Sequence, residues 1–117
     1  MDLQKKTSDH ELDLVLRAIS DQTRRAILAR LARGPAMVTE LAEPFNMSLP
    51  AVSKHLRVLE RARLVERSVN GRVHSCSLAP GPLESVEQWL SHYRSFWEDN
   101  LERLATFAEK SKKTRAR

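Results

Sequence analysis

A mainly α (α+β) fold of about five helices and a two-stranded β-hairpin is predicted by three features of the sequence. Apolar residues recur every three or four positions in several segments, which glycine, proline or capping residues separate. Two strand-like runs flank Asn70-Gly71, a dipeptide typical of tight hairpin turns. Because two short helices directly precede this hairpin, the order of elements is that of a winged helix-turn-helix, with the helix-turn-helix at about 38–63 and the wing at about 64–78.

The length and net charge of the chain limit its number of domains and its classes of partner. The 117 residues support one modest core, so we assign residues 1–112 to a single domain and residues 113–117 to a basic tail. The net charge of +5 favours a polyanionic partner such as nucleic acid. Neither end carries a long apolar run or a basic amphipathic anchor, which argues against a membrane.

The first residues and the cysteine count indicate the compartment. Residues 1–13 contain no apolar run that could serve as a secretion signal, so we expect a cytoplasmic protein. Cys76 is the only cysteine and cannot form an internal disulfide, which agrees with a reducing compartment. We expect Cys76 to be a small packed residue of a wing strand, and a redox role is the alternative.

Two helices are predicted before the helix-turn-helix. Ser8 to Glu11 matches a capping box and is expected to open the first helix after a polar lead-in at residues 1–7. Ser20 is expected to cap the second helix, which should end at Gly34-Pro35. The arginines of the second helix are expected to be mostly solvated: Arg24, Arg25, Arg30 and Arg33.

The second helix of the helix-turn-helix carries the strongest functional signal. After a turn of three or four residues around Asn46, Ser48 is a suitable N-cap, and the helix should begin at about Leu49. At 3.6 residues per turn, its apolar residues form one stripe: Val52, Leu56 and Leu59. Short polar and basic side chains occupy the flanks and the opposite face, a mixture that suits contacts in a DNA major groove.

The predicted wing places further cations beside this helix. Leu64–Val69 and Arg72–Leu78 are expected to pair through a type I′ turn centred on Asn-Gly. A projecting hairpin with cations near its tip suits contact with phosphates or the minor groove. We therefore predict DNA contacts from ten residues of the helix and the wing: Ser48, Pro50, Ala51, Ser53, Lys54, His55, Arg57, Arg67, Arg72 and His74.

A long C-terminal helix is predicted from about Leu83 to Lys110, after the break at Ala79-Pro80-Gly81-Pro82. Its apolar stripe is wider than a core of this size can cover, so we predict a homodimer in which it is the main dimerisation helix. The alternative is that this helix only closes the core of its own subunit. The predicted interface residues lie on the first and last helices: Leu12, Leu16, Val86, Trp89, Leu90, Tyr93, Trp97, Leu101 and Leu104.

Several motifs in residues 12 to 108 resemble the ArsR-type bacterial transcriptional regulators. They are "TRRAIL" at Thr23 to Leu28, "SxHLxxLxxxxLV" at Ser53 to Val65, and "GR" at the tip of the wing. The chain departs from the family at Gln22, where proline is frequent, and at Arg63, where glycine is frequent. The resemblance implies a homodimeric repressor of bacterial, nucleoid-associated location that binds an inverted-repeat operator and responds to a signal.

Many members of that family sense metals, but the residues needed are absent from this sequence. Ala42 and Pro44 stand where the resemblance places thiolate ligands. The other common site would need an Asp-x-His pair and a later histidine, whereas His92 is preceded by Leu90 and the later position is Arg103. We therefore predict no metal site and no cofactor, and either an unknown small organic effector or none.

Two other classes of function agree less well with the sequence. An enzyme is disfavoured because the sequence lacks a glycine-rich phosphate loop, a paired-carboxylate site and a Ser-His-Asp arrangement. A winged helix used only as a protein-protein adaptor would need no cations on its second helix, yet Lys54 and Arg57 are present. The leading prediction is a sequence-specific regulator that binds duplex DNA; the adaptor and a redox- or small-molecule-responsive regulator are the alternatives.

Overall fold

The structure is a computed structural model that describes the backbone of residues 2–115 and the side chains of residues 9–111. Within this part of the chain the predicted winged helix-turn-helix, with five helices and a β-hairpin, is confirmed. The helices are α1 (Asp2–Ile19), α2 (Gln22–Leu31), α3 (Val38–Ala42), α4 (Leu49–Arg61) and α5 (Leu83–Arg115). The strands are β1 (Ala36–Met37), β2 (Val65–Asn70) and β3 (Val73–Leu78).

The described residues fall into two compact units that divide after Val86. The first unit contains α1 to α4, the sheet and the first residues of α5, of which Leu83 and Val86 pack against the core. The second unit is the remaining length of α5. No described helix is both long enough and apolar enough to cross a membrane.

The core of the first unit forms around α4, which contacts α1, α2, α3 and β2. Its predicted stripe of Val52, Leu56 and Leu59 has no exposed surface. Burial of side chains of this size contributes about 1.5–3 kcal/mol each. Because this stripe is fixed in the core, the opposite side of α4 is left for solvent or a partner.

Both N-terminal helices begin at residues other than those predicted. Helix α1 starts at Asp2 and not at Ser8, because residues 2–7 contain no glycine or proline to stop it. Asp21 caps α2 in place of Ser20, since its Oδ2 accepts the Arg24 N–H at 3.0 Å. The Ser20 hydroxyl instead donates to the Arg17 carbonyl at 2.7 Å and so satisfies the end of α1.

Other boundaries also differ from the prediction, and one is the end of α2, which lies at Leu31 and not at Gly34-Pro35. The connection between α3 and α4 is residues 43–48, longer than the expected turn, because α3 already ends at Ala42, two residues before Pro44. Helix α5 continues past Lys110 to Arg115, so the first residues of the predicted basic tail are helical. Lysine and arginine are good helix formers and no glycine or proline intervenes. Residues 116 and 117 of that tail, like Met1 of the predicted lead-in, lie outside the described residues.

The sheet has a third strand and a different turn. Strand β1 pairs with β3, which gives the order β1-β3-β2, and a two-residue strand has too short a pattern to be predicted. In the hairpin Asn70 pairs with Val73, so the loop is Gly71-Arg72. Only Gly71 has a positive φ there, 65°. One positive φ at the first loop residue fits a type II′ turn, so the predicted type I′ turn is wrong. The predicted position, Asn70-Gly71, is also one residue too early.

Helix α4 ends in a Schellman motif. The Leu64 N–H donates to the Leu59 carbonyl at 3.0 Å, and the Arg63 N–H donates to the Glu60 carbonyl at 2.9 Å. Arg63 has φ 60°, the left-handed conformation in which glycine is most favourable. The motif turns the chain directly from the end of α4 into β2.

Candidate nucleic-acid interface

The outward face of α4 is polar and basic, as predicted. Lys54 and Arg57 are exposed on the side opposite the buried stripe. Ser48 caps the helix, with its Oγ accepting the Ala51 N–H at 3.3 Å, and Pro50 lies exposed in the first turn. No acidic residue lies in that first turn, so the positive end of the helix dipole is not neutralised there. This end of α4 is therefore electrostatically suited to a phosphate.

A groove of about 350 Å³ joins the start of α4 to the wing. It brings together four of the residues predicted to contact DNA: Ser53, Arg67, Arg72 and His74. The other residues that line it come from β1, α3, α4 and the wing: Met37, Val38, Thr39, Leu49 and Val73. The helix and the hairpin thus form one continuous concave surface in the first unit. Thr39, which is exposed, was not among the predicted site residues because a single threonine early in a short helix carries no distinctive sequence signal.

Arg67 connects the wing to α4. Its Nε donates to Glu60 Oε1 at 2.6 Å, and the two side chains are 24% and 29% exposed. A second guanidinium nitrogen lies 3.4 Å from His74 Nδ1 on the neighbouring strand. Because Arg67 pairs with Glu60, it holds the wing against α4. The part of its guanidinium that remains exposed can still face a DNA phosphate. Arg72, in the exposed loop of the hairpin, has no such partner among the described residues.

His55 Nδ1 faces the start of α2, and the side chain is 19% exposed. Its Nδ1 lies 3.2 Å from an Arg24 guanidinium nitrogen and 3.8 Å from Asp21 Oδ2. The pKa of Asp21 is lowered, first by the Arg24 backbone N–H and then by the charges of His55 and Arg24, against an opposing effect of burial. His55 is therefore held by two residues whose involvement could not be read from the sequence, since they lie more than 30 positions away.

The arginines of α2 are not simply solvated. The Arg24 and Arg25 side chains donate to backbone carbonyls near the end of α1, and Arg30 donates to the Gly34 carbonyl at 3.1 Å. These bonds satisfy carbonyls that a helix or turn leaves without partners. Arg33 is exposed, in agreement with the prediction.

The described residues offer little for metal or redox chemistry. Among the described residues, no three histidine, cysteine or carboxylate side chains are grouped closely enough to hold a metal ion. Cys76 is fully buried, as expected for a packed residue, and pairs across the sheet with Ala36 and Arg67. Burial raises the pKa of the Cys76 thiol, partly offset by the positive charge of Arg67. A buried thiol with a raised pKa is a poor nucleophile.

The residues predicted for dimerisation present apolar surface. In the second unit the exposed fractions rise from 41% at Trp89 to 63% at Trp97 and 64% at Leu104. Phe96 and Phe107, which were not in the predicted interface, are exposed as well. In the first unit Leu12 and Leu16 are half-buried, and Val86 is half-buried against the core. So much exposed aromatic and aliphatic surface is unusual for a chain that acts alone.

Comparison with known sequences identifies relatives of this chain. Residues 19–68 match the family model of a helix-turn-helix domain. Over 53 residues the chain is 57% identical to the HTH-type transcriptional regulator Rv2034 of Mycobacterium tuberculosis, covering 45% of this chain and 50% of that protein. Over 87 residues it is 33% identical to the transcriptional repressor SdpR of Bacillus subtilis, covering 74% of this chain and 97% of SdpR. The chain thus matches half the length of Rv2034 and nearly all of SdpR.

Solved structures of related regulators have the same fold as this chain. The crystal structure of the ArsR family transcriptional regulator RHA00566 superposes with a TM-score of 0.72 at 42% identity, covering 77% of this chain and 93% of that one. The homodimeric winged helix-turn-helix DNA-binding domain Mb0332 of Mycobacterium bovis superposes with a TM-score of 0.62 at 25% identity, covering 86% and 90% of the two chains. With its fold, its exposed basic helix and these relatives, the chain belongs to the ArsR family of winged helix-turn-helix transcriptional regulators.

Proposed function

We propose that this protein is a homodimeric transcriptional repressor that binds an inverted-repeat operator in double-stranded DNA. The observation that best supports the proposal is the exposed basic face of α4, opposite its buried stripe and next to the groove shared with the wing. We therefore name α4 the recognition helix. Such a protein would act in the bacterial cytoplasm and associate with the nucleoid while bound.

In this proposal the recognition helix enters the major groove. Lys54 and Arg57 supply positive charge to phosphates or to guanine edges, and Ser53 supplies a short hydrogen-bonding group. Arg72 at the tip of the wing contacts the neighbouring backbone or minor groove. The remaining predicted contact residues border these side chains on the same helix and hairpin.

The homodimer is supported by the exposed apolar side chains of α5 and by the likeness to the Mycobacterium bovis domain Mb0332, which is homodimeric. Two-fold symmetry would place two recognition helices about 34 Å apart, one turn of B-DNA, and would require an inverted repeat. Repression is supported by the likeness to SdpR, a transcriptional repressor.

Salt-dependent binding of labelled duplexes tests the proposed DNA surface. Lys54→Ala, Arg57→Ala and Arg72→Ala should each weaken binding to any duplex. Each should also reduce the slope of log K against log salt by about one per subunit, because each removes one cation from the surface that binds DNA. Arg94→Ala is the matched control, since it removes the same charge from the second unit, where Arg94 lies exposed near Glu87.

Unchanged affinity and slope in all three variants would refute this surface. No duplex binding by the unmodified protein, even at low salt, would refute DNA binding altogether and favour the protein-protein adaptor.

A further inference from the structure

We propose that Arg24 is a positioning residue that sets the tautomer of His55, so that the recognition helix presents an Nε2–H donor to the DNA bases. Only the DNA-binding half of this inference rests on the proposed function. The tautomer itself is a property of the free protein and can be measured without DNA.

The Arg24 guanidinium is held in place by the end of α1. Its Nε donates to the Ala18 carbonyl at 2.7 Å, and one terminal nitrogen donates to the Arg17 carbonyl at 2.9 Å. The other terminal nitrogen lies 3.2 Å from His55 Nδ1. The plane of the guanidinium is therefore fixed by two carbonyls, and its other terminal nitrogen faces His55 on the recognition helix.

The chemistry of the pair determines where the imidazole proton lies. A guanidinium is always protonated and has no lone pair, so it can only donate. His55 Nδ1 must then accept, and a nitrogen that accepts carries no proton. The neutral imidazole consequently carries its proton on Nε2.

Asp21 is the competing partner for the same nitrogen. Its Oδ2 lies 3.8 Å from His55 Nδ1, beyond hydrogen-bond distance, and already accepts the Arg24 backbone N–H at 3.0 Å. A proton on Nδ1 would have to face the Arg24 cation at 3.2 Å. The shorter and directional contact with Arg24 therefore decides the tautomer.

This tautomer gives His55 a defined preference among bases. With Nδ1 occupied by Arg24, Nε2 is the ring nitrogen left for DNA, and among the described residues no partner lies within hydrogen-bond distance of it. An N–H donor pairs with guanine N7 or O6, adenine N7 or thymine O4, but not with the amino group of cytosine. His55 would thus favour an acceptor at one position of each half-site, a selection that a freely rotating histidine could not impose.

Nitrogen-15 NMR of the two ring nitrogens tests the positioning claim in the free full-length protein. For neutral His55 we expect a protonated Nε2 and an unprotonated Nδ1, and Arg24→Met should convert this into a mixture of tautomers. Arg25→Met is the matched control, because Arg25 also donates to a carbonyl at the end of α1, that of Ile19 at 2.8 Å. This control should leave the His55 signals unchanged. A protonated Nδ1 in the unmodified protein would overturn the proposal, even if the variants fold poorly.

Binding to an operator fragment recovered by selection from random duplexes tests the consequence for DNA. Arg24→Met and His55→Ala should each bind this fragment about tenfold more weakly. Their affinity for random duplex and its salt slope should stay unchanged, because no phosphate contact is lost. Arg25→Met should keep the preference, and equal preference in Arg24→Met and the unmodified protein would overturn the inference. If the unmodified protein showed no preference, the proposed function would fail, and the NMR result would still decide the role of Arg24.

Discussion

Arg63 adopts a left-handed backbone conformation that costs a non-glycine residue about 1–2 kcal/mol. Its own N–H and that of Leu64 close the Schellman motif at the end of the recognition helix, so the conformation is required by the fold. Arg63 therefore makes the fold less stable than glycine would at this position.

Arg63→Gly should raise the free energy of unfolding by about 1 kcal/mol, since glycine adopts this conformation without strain. Arg61→Gly is the control: Arg61 is the last residue of α4 and has no positive φ, so glycine relieves no strain there and should not raise the stability. Urea unfolding at one fixed protein concentration measures the free energy of unfolding of both variants. No gain in Arg63→Gly would contradict the cost assigned to the Arg63 conformation.

Asp21, at the start of α2, makes the stability of the fold depend on pH. Because its pKa is lowered in the folded state, its charge stabilises the fold above the ordinary carboxyl pKa of about 4, and this contribution is lost as the pH falls through the lowered value. Asp21→Asn keeps a capping side chain without the charge. The stability difference between the two proteins should therefore be present at pH 5 and shrink below about pH 4.

Unfolding curves at several pH values measure this difference. Asp13→Asn, at an exposed position in the middle of α1, is the control and should show no comparable trend. A difference for Asp21→Asn that stays constant down to pH 3 would contradict the assigned role of the Asp21 charge.

At the scale of elements, the Glu60–Arg67 pair fixes the wing against the recognition helix. The 2.6 Å contact is partly shielded from solvent, whereas Arg94 and Glu87 on α5 are exposed and 3.7 Å apart. A double-mutant cycle of Glu60→Ala and Arg67→Ala should give a coupling energy of about 1 kcal/mol. The cycle of Glu87→Ala and Arg94→Ala should give no measurable coupling. Equal coupling in the two cycles would contradict the role given to the first pair.

The sequence alone was sufficient to predict elements whose signals lie within a single segment. The cap at Ser48 and the spacing of Val52, Leu56 and Leu59 predicted the recognition helix and its buried stripe correctly. Such signals depend on helical period and capping, which a single segment contains. The exposed positions of Lys54 and Arg57 followed from the same projection.

Features that depend on distant residues were not predictable. The contact of Arg24 with His55 joins residues 31 positions apart, and the pairing of β1 with β3 joins segments that are even further apart in the chain. The hairpin turn shifted by one residue because Asn70 pairs in the strand, a choice set by register and not by the dipeptide. Capping by Asp21 instead of Ser20 reflects a competition between adjacent side chains of similar capping strength.

At the scale of the whole molecule, the proposed dimer depends on the exposed apolar side chains of α5. Trp97→Asp with Leu101→Asp should yield monomers in light scattering, because two buried carboxylates would oppose association. Ser95→Asp with Thr106→Asp adds the same charges on the opposite side of this helix and should leave the dimer intact. A dimer that persists in the first variant would refute an interface through these residues.

Hydroxyl-radical footprinting on the selected operator tests the central claim, that two symmetry-related recognition helices bind DNA together. We expect two protected segments related by two-fold symmetry, with centres about 10 base pairs apart or a multiple of that spacing. A single protected segment, or protection without symmetry, would contradict it.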